Sequence, residues 1–369
     1  MKDVLLMIPG PTNISDAVRS VMGEAQVGHS EPRFQERFAE LVQLARYAFR
    51  NDTGFQYVFT GTGTVAMEAA VSSTVENGDK TLVLNSGYFG HRWTEINEVY
   101  GAKVEELSTS FGRHVSPSDV KKKLQETKYK AVFMTHVDTG TTIVNPIEEI
   151  VKEVKAVGAL AVVDGVCSVG GIELNFDRLG ADLVLTGSQK AIAAPPGGLL
   201  IATSKEMEEN IGRRKSPIST YYANLLTWKR VMNDPKVYFA THATQLMLAL
   251  RQALLEVKEE GIENRWKRHK AIGANIRAGL ESRGLEMVAE SGFRADTVTG
   301  FLVPEGKAAE VQSDLRVKHQ IEVARGLGEY SGRMIRVGHF GNLRGDQIEY
   351  FFEALDDAFR SAGIRTPSH

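Results

Sequence analysis

Three short stretches combine residue types that do chemistry with settings that could bring them together. Lys190 stands in Gly187-Ser188-Gln189-Lys190-Ala191, followed after Ile192-Ala193 by Ala194-Pro195-Pro196-Gly197-Gly198, between apolar runs at 182–186 and 199–202. A Ser/Gly/Pro-rich turn between strand-like runs ends a strand and holds its side chains in place. Taken alone, such a lysine reads as an ordinary solvated charge. Asp164 closes the apolar run Val162-Val163-Asp164, where a carboxylate is partly buried and costly unless paired. It reads either as a helix cap or as the counter-ion of a buried cation such as a protonated pyridine nitrogen. Thr60-Gly61-Thr62-Gly63-Thr64 lies between a strand pattern and a helix pattern. Glycine lets another group approach the backbone, the hydroxyls donate hydrogen bonds, and a helix N-terminus carries partial positive charge. The stretch reads as a phosphate seat or as a plain tight turn. It is not a full Gly-x-Gly-x-x-Gly fingerprint, and no Gly-x-x-x-x-Gly-Lys-Ser/Thr occurs.

The surrounding elements must position these groups. Strand patterns fall at 57–60, 81–84, 131–135, 160–164, 182–185 and 199–202, with helical patterns at 34–48, at 65–71 and around Arg92, Trp93 and Ile96. Several strands are continuous apolar runs, which fit strands buried on both faces. The expected fold is α/β, a large doubly wound and mostly parallel sheet. Ligands of such sheets bind at the carboxyl ends of the strands. A phosphate seat, a carboxylate and a lysine at three strand ends suit a ligand with a phosphate, a basic ring nitrogen and an aldehyde, namely pyridoxal phosphate. Phe89, in Gly87-Tyr88-Phe89-Gly90, is available to stack on its ring. From about 241 to 283 the text is helical, interrupted at Gly261; short strands at 298–303 and 334–337 then mix with helices at 307–319 and 346–360. The expected division is an irregular N-terminal segment lining the site (1–15), with Ser15 capping the first helix, a large cofactor domain (16–255), and a smaller C-terminal α+β domain (256–369).

Composition narrows the function class. Lys plus Arg number 44 and Asp plus Glu 46, a net charge of −2, which offers no field to recruit nucleic acid or an anionic membrane. A single cysteine, Cys167, rules out an intrachain disulfide framework and fits a reducing compartment. No apolar run reads as a signal peptide or a membrane span, so the expected location is the cytoplasm. The histidines show no metal-ligand spacing, and no metal is expected.

In these motifs the chain resembles the class V, fold-type-I pyridoxal-phosphate aminotransferases, in the alanine–glyoxylate, serine–glyoxylate and serine–pyruvate branch. The resemblance runs from Pro9-Gly10-Pro11-Thr12 and Gly28-His29-Ser30 through Gly61-Thr62-Gly63-Thr64 and Asn145-Pro146-Ile147. Its most specific part is Val163-Asp164 with Ser168-Val169-Gly170-Gly171 and the Lys190 segment, and it ends at Arg333-Met334-Ile335-Arg336-Val337-Gly338. It implies an aminotransferase that moves an amino group from alanine or serine to glyoxylate or pyruvate in a ping-pong cycle. Lys190 would carry the cofactor as a Schiff base and act as the proton-transferring base, and Asp164 would hold the pyridine nitrogen protonated. Val166 would pack under the ring and Phe89 over it, with Thr139 offering a hydroxyl. Thr62, Gly63, Thr64 and Gln189 would hold the phosphate, completed by Tyr238 and Thr241 from the other subunit of a homodimer. Arg336 would clamp the substrate α-carboxylate, and Gly10 would line the substrate pocket.

The family commonly reads Glu-Ser/Thr-Ser/Thr-Thr-Gly before its Asn-Pro motif; here the stretch is His136-Val137-Asp138-Thr139-Gly140-Thr141-Thr142-Ile143. A cysteine desulfurase needs a cysteine nucleophile on a late loop, and Cys167 beside Asp164 cannot take that part. Aminotransferases of the same branch with another donor (2-aminoethylphosphonate, ureidoglycine or pyridoxamine) stay as the alternative. So, more remotely, does a cofactor-binding relative without activity, although such a protein has no need of Lys190, Asp164 and Arg336 together.

Overall fold

The computed structural model describes residues 4–367; residues 1–3 and 368–369, the outer ends of the two terminal segments, lie outside the described residues. A seven-stranded sheet is built from residues 55–203, in the spatial order Phe55–Thr60, Gly198–Thr203, Leu183–Gly187, Leu160–Asp164, Ala131–Thr135, Lys80–Asn85, Lys103–Ser108. The strands are parallel except Gly198–Thr203, which is antiparallel to both its neighbours. The expected mostly parallel doubly wound sheet is what forms, and the reversed strand is the return of the Lys190 loop, with Leu199 opposite Gly187.

Side chains alternate across the sheet, as the two-residue period requires. Val163, Val184 and Val132 face a core built with Phe38, Leu41, Ile150 and Leu250 from the helices Pro32–Phe49, Ile147–Ala156 and Thr244–Glu260. Val162, Leu185 and Phe133 face the opposite core, with Met67, Trp93 and Trp228 from the helices Gly63–Thr74, Tyr88–Val99 and Leu225–Asn233. Burial on both faces explains the continuous apolar runs. Lys103–Ser108 escaped the sequence reading because it is an edge strand, Lys-Val-Glu-Glu-Leu-Ser, half-exposed and polar.

A third core joins Ile276, Leu280, Phe301, Leu315, Ile335, Phe351 and Leu355 around the strands Val298–Leu302 and Met334–Gly338, with helices Ala308–His319 and Gly345–Ser361. The break at Gly261, φ +81°, separates the helices Thr244–Glu260 and Ile262–Glu281. Ser15 caps the helix Asp16–Met22 as expected, its hydroxyl accepting the Val18 N–H at 3.1 Å. The N-terminal segment is not wholly irregular: Leu5–Leu6 pairs in parallel with Ile321–Glu322, and Met7 enters the third core. Two residues carry no detectable period, so only the tertiary partner reveals that strand. Among the described residues, no helix is long and apolar enough to cross a membrane.

Candidate active site

The parallel strands end on one edge of the sheet, and a cavity of about 180 Å³ opens there. One wall is the start of the helix Gly63–Thr74. Thr62 caps it, its hydroxyl accepting the Val65 N–H at 3.3 Å. The N–H groups of Gly63 and Thr64 belong to the first turn, where no intrahelical acceptor exists, and they meet none among the described residues. A Cβ on Gly63 would stand 3.1 Å from Val166, so glycine keeps this end of the cavity open.

The floor carries Asp164 and Val166. Asp164 is 3% exposed at the end of Leu160–Asp164. Its Oδ1 accepts the Val166 N–H at 2.8 Å, the one hydrogen bond this carboxylate receives among the described residues. Burial lifts its pKa to about 7 and the Asp138 charge pushes the same way, while the Val166 N–H and the positive charges of Lys190 and Arg92 pull it down. A buried carboxylate so poorly compensated suits a cationic partner.

Lys190 closes the far side, in the loop after Leu183–Gly187. Its Nζ donates to the Pro9 carbonyl. The N-terminal segment lies against it: Thr12 donates its hydroxyl to the Lys190 carbonyl and its N–H to the Gln189 carbonyl, each at 3.2 Å. Gly10 has φ +98°, and a Cβ there would come within 2.5 Å of Lys190 Cδ. No other residue fits both the backbone and the space. From the opposite side Arg265, 2% exposed and paired with Glu260, donates to the Ala191 carbonyl at 2.6 Å. Gln189 lines the same cavity, with its Oε1 buried and unpartnered.

Phe89 and Thr139 form the outer wall, and Asp138 ties them together. This fully buried carboxylate accepts the N–H groups of Phe89 (2.8 Å) and Gly90 (3.0 Å) through Oδ2 and that of Gly140 (2.7 Å) through Oδ1. Burial raises its pKa and these N–H groups oppose the rise. Sequence reasoning missed Asp138, although a carboxylate just past an apolar strand was the signal already used for Asp164.

Phe89, Thr139 and Lys190 also line a second, more open cleft of about 490 Å³, which holds Gly10 and Arg336. Arg336, on Met334–Gly338, is 7% exposed. It donates from Nε to the Arg325 carbonyl (2.8 Å) and from Nη1 to the Thr139 carbonyl (2.7 Å). Among the described residues no carboxylate lies within ion-pair distance of it, and burial lowers its pKa. The two carbonyls orient the guanidinium and leave Nη2 for a ligand.

Of the expected site residues, Thr62, Gly63, Thr64, Phe89, Thr139, Asp164, Val166, Gln189 and Lys190 share the first cavity, and Gly10 and Arg336 join through the second. Tyr238 and Thr241 lie outside both linings; Tyr238 is 66% exposed, with its hydroxyl 3.4 Å from that of Thr241. No cluster of His, Cys, Asp and Glu able to hold a metal exists among the described residues. Free N–H groups at a helix start, an under-compensated carboxylate and a primary amine on one cavity fit the phosphate, the ring nitrogen and the aldehyde of pyridoxal phosphate.

Comparison with known proteins agrees. The family model "Aminotransferase class-V" matches residues 8–339. The chain is 37% identical to an uncharacterized aminotransferase of Methanocaldococcus jannaschii, over 98% of this chain and 94% of that one. Among solved structures it superposes on the ureidoglycine–glyoxylate aminotransferase of Bacillus subtilis with a TM-score of 0.96 at 28% identity, covering 100% of this chain and 96% of that one. It superposes on the alanine–glyoxylate aminotransferase of a Nostoc species with a TM-score of 0.94 at 32% identity, covering 98% and 96%.

Proposed function

Because the chain belongs to the class-V aminotransferases, we propose that it moves an amino group from a small amino acid, alanine or serine, to a 2-oxo acid, glyoxylate or pyruvate, in two separable half-reactions. Its cofactor is pyridoxal phosphate, which when bound supplies an aldehyde to receive the amine and a ring to take up the electron pair left at the substrate α-carbon. The residues divide the remaining work. The Gly63 and Thr64 N–H groups, the Thr62 and Thr64 hydroxyls and the Gln189 amide N–H would hold the phosphate. Asp164 would hold a proton on the ring nitrogen, Val166 and Phe89 would pack on the ring, and Thr139 would offer it a hydroxyl. Lys190 Nζ takes the α-proton from the donor and gives a proton back. The acceptor reading is supported by the two structural neighbours described above, both glyoxylate aminotransferases by name.

The observation that carries this reading is Arg336: a buried guanidinium with no carboxylate partner among the described residues, oriented by two carbonyls over the cleft that Lys190 shares. A charge held in this way calls for an anion, and an α-carboxylate is the anion common to every substrate of this reaction. The test is a panel of single half-reactions in which each amine is mixed with the holoenzyme and the cofactor absorbance is followed. Alanine or serine should convert the cofactor fastest; ureidoglycine or pyridoxamine as the fastest donor would overturn the substrate assignment. In the same panel Arg336→Ala should lose roughly 2–5 kcal/mol of kcat/KM for α-carboxylate donors. Normal turnover in that variant would place the carboxylate clamp elsewhere.

Tyr238 and Thr241 are assigned to the phosphate seat of the partner subunit in a homodimer. Tyr238 is exposed, and neither residue lines its own chain's cavities, which supports this. Sedimentation should find a dimer, and a fully active monomer would remove the assignment. One buried, free cysteine supports placing the enzyme in the cytoplasm.

A further inference from the structure

Arg92 belongs to none of the roles assigned above, yet it lines the first cavity beside Thr62, Gly63 and Thr64. It sits on the helix Tyr88–Val99, half-buried, one turn past Phe89. Its Nη1 donates to the Thr64 hydroxyl and its Nη2 to the Tyr88 hydroxyl, both at 3.2 Å. The guanidinium carbon lies 4.9 Å from the Phe89 ring centroid and 5.0 Å from that of Tyr88. Among the described residues no carboxylate pairs with it. A cation is thereby held against the first turn of the helix Gly63–Thr74, the end that already carries partial positive charge. Two like-signed groups facing one cavity repel each other unless an anion stands between them.

We propose that Arg92 contacts the cofactor phosphate. It would join the Gly63–Thr64 N–H groups and make the site discriminate phosphorylated from unphosphorylated pyridoxal. The proposal rests on the reading that the phosphate sits at the start of this helix. Arg92 is well built for such a contact. Stacking on Phe89 fixes the plane of its guanidinium, the two hydroxyls occupy one hydrogen on each terminal nitrogen, and the remaining donors stay free for phosphate oxygens.

A competing role is purely steric: Arg92 props the Phe89 ring, and its charge is incidental. The two roles separate when cofactor-free protein is titrated with pyridoxal phosphate and with pyridoxal, which share the ring and the aldehyde and differ in the phosphate. Binding is read by absorbance, in wild type, Arg92→Gln and Arg92→Lys. Arg92→Gln should weaken pyridoxal phosphate by roughly 10- to 100-fold, the size of a hydrogen bond to a charged group, and leave pyridoxal unchanged. Arg92→Lys keeps the charge, folds with little perturbation, and should retain part of the preference. Equal loss for both ligands, or no loss for either, overturns the proposal. A wild-type protein that binds both ligands equally well overturns the phosphate seat itself. That result is distinct, because it appears before any substitution is made.

Discussion

Lys190→Ala leaves a folded protein that has lost transamination: kcat falls by at least ~10²–10⁴-fold, the usual worth of a positioned proton-transfer group. The fold survives because the side chain has little else to hold. Its amine meets the Pro9 carbonyl and lies 5.9 Å from the centroid of the Phe340 ring. The loop is fixed through main-chain carbonyls, with Thr12 on Lys190 and Arg265 on Ala191. Lys190→Arg is the sharper comparison. It keeps a positive charge near Asp164, but a guanidinium does not give up its proton. It should be as inactive as the alanine variant, with thermal unfolding close to wild type. Turnover within tenfold of wild type in either variant would mean that another group moves the proton.

Asp164→Asn separates stability from activity. In the cofactor-free protein, burial lifts Asp164 to about 7 from an ordinary value near ~3.9. Below the ordinary value both the folded and the unfolded chain carry the proton, and burial of this group costs little. Between the two values the folded chain holds a proton that the unfolded chain has released, so stability falls as pH rises through that window. Above the folded value the whole cost of the buried charge is present, on the order of 4 kcal/mol. Asparagine has the same shape, can accept the Val166 N–H, and carries no charge. Cofactor-free Asp164→Asn should therefore unfold at a higher temperature than wild type at pH 8 and at about the same temperature at pH 4. Its turnover should drop by roughly 10²–10⁴-fold, the worth of a partner removed from a buried charge pair. A calorimetric scan at the two pH values and a rate measurement suffice. A variant less stable at both, or one that turns over normally, refutes this account of Asp164.

The residues legible in the sequence were those whose signal is local. Asp164 and the Gly187–Lys190 turn each follow an apolar strand run, and Thr62–Thr64 stands where a strand period gives way to a helical one. At such junctions the doubly wound fold brings the carboxyl ends of strands together, so separate local signals converge on one cavity. Arg336 and Gly10 were placed by resemblance, since a glycine in an irregular segment and an arginine in a strand have no local signature. What stayed hidden depends on partners distant in the chain. Asp138 matters because its carboxylate reaches back to Phe89 and Gly90. Arg265 looks like one more helix charge until the fold brings it to the Ala191 carbonyl. Leu5–Leu6 becomes a strand only beside Ile321–Glu322.

That last pairing also sets an order of events. The large sheet is complete in sequence by Thr203, and a chain emerging from the ribosome can begin to build it early. The segment that lies over Lys190 precedes that sheet in the chain, yet its strand partner follows it, at residues 321–322. Pro9 and Thr12 meet Lys190 and Gln189 directly, but the strand just before them is paired only once residues 321–322 are present. A nascent or C-terminally truncated chain can thus own every strand of the large sheet while the segment over its reactive amine still lacks its strand partner.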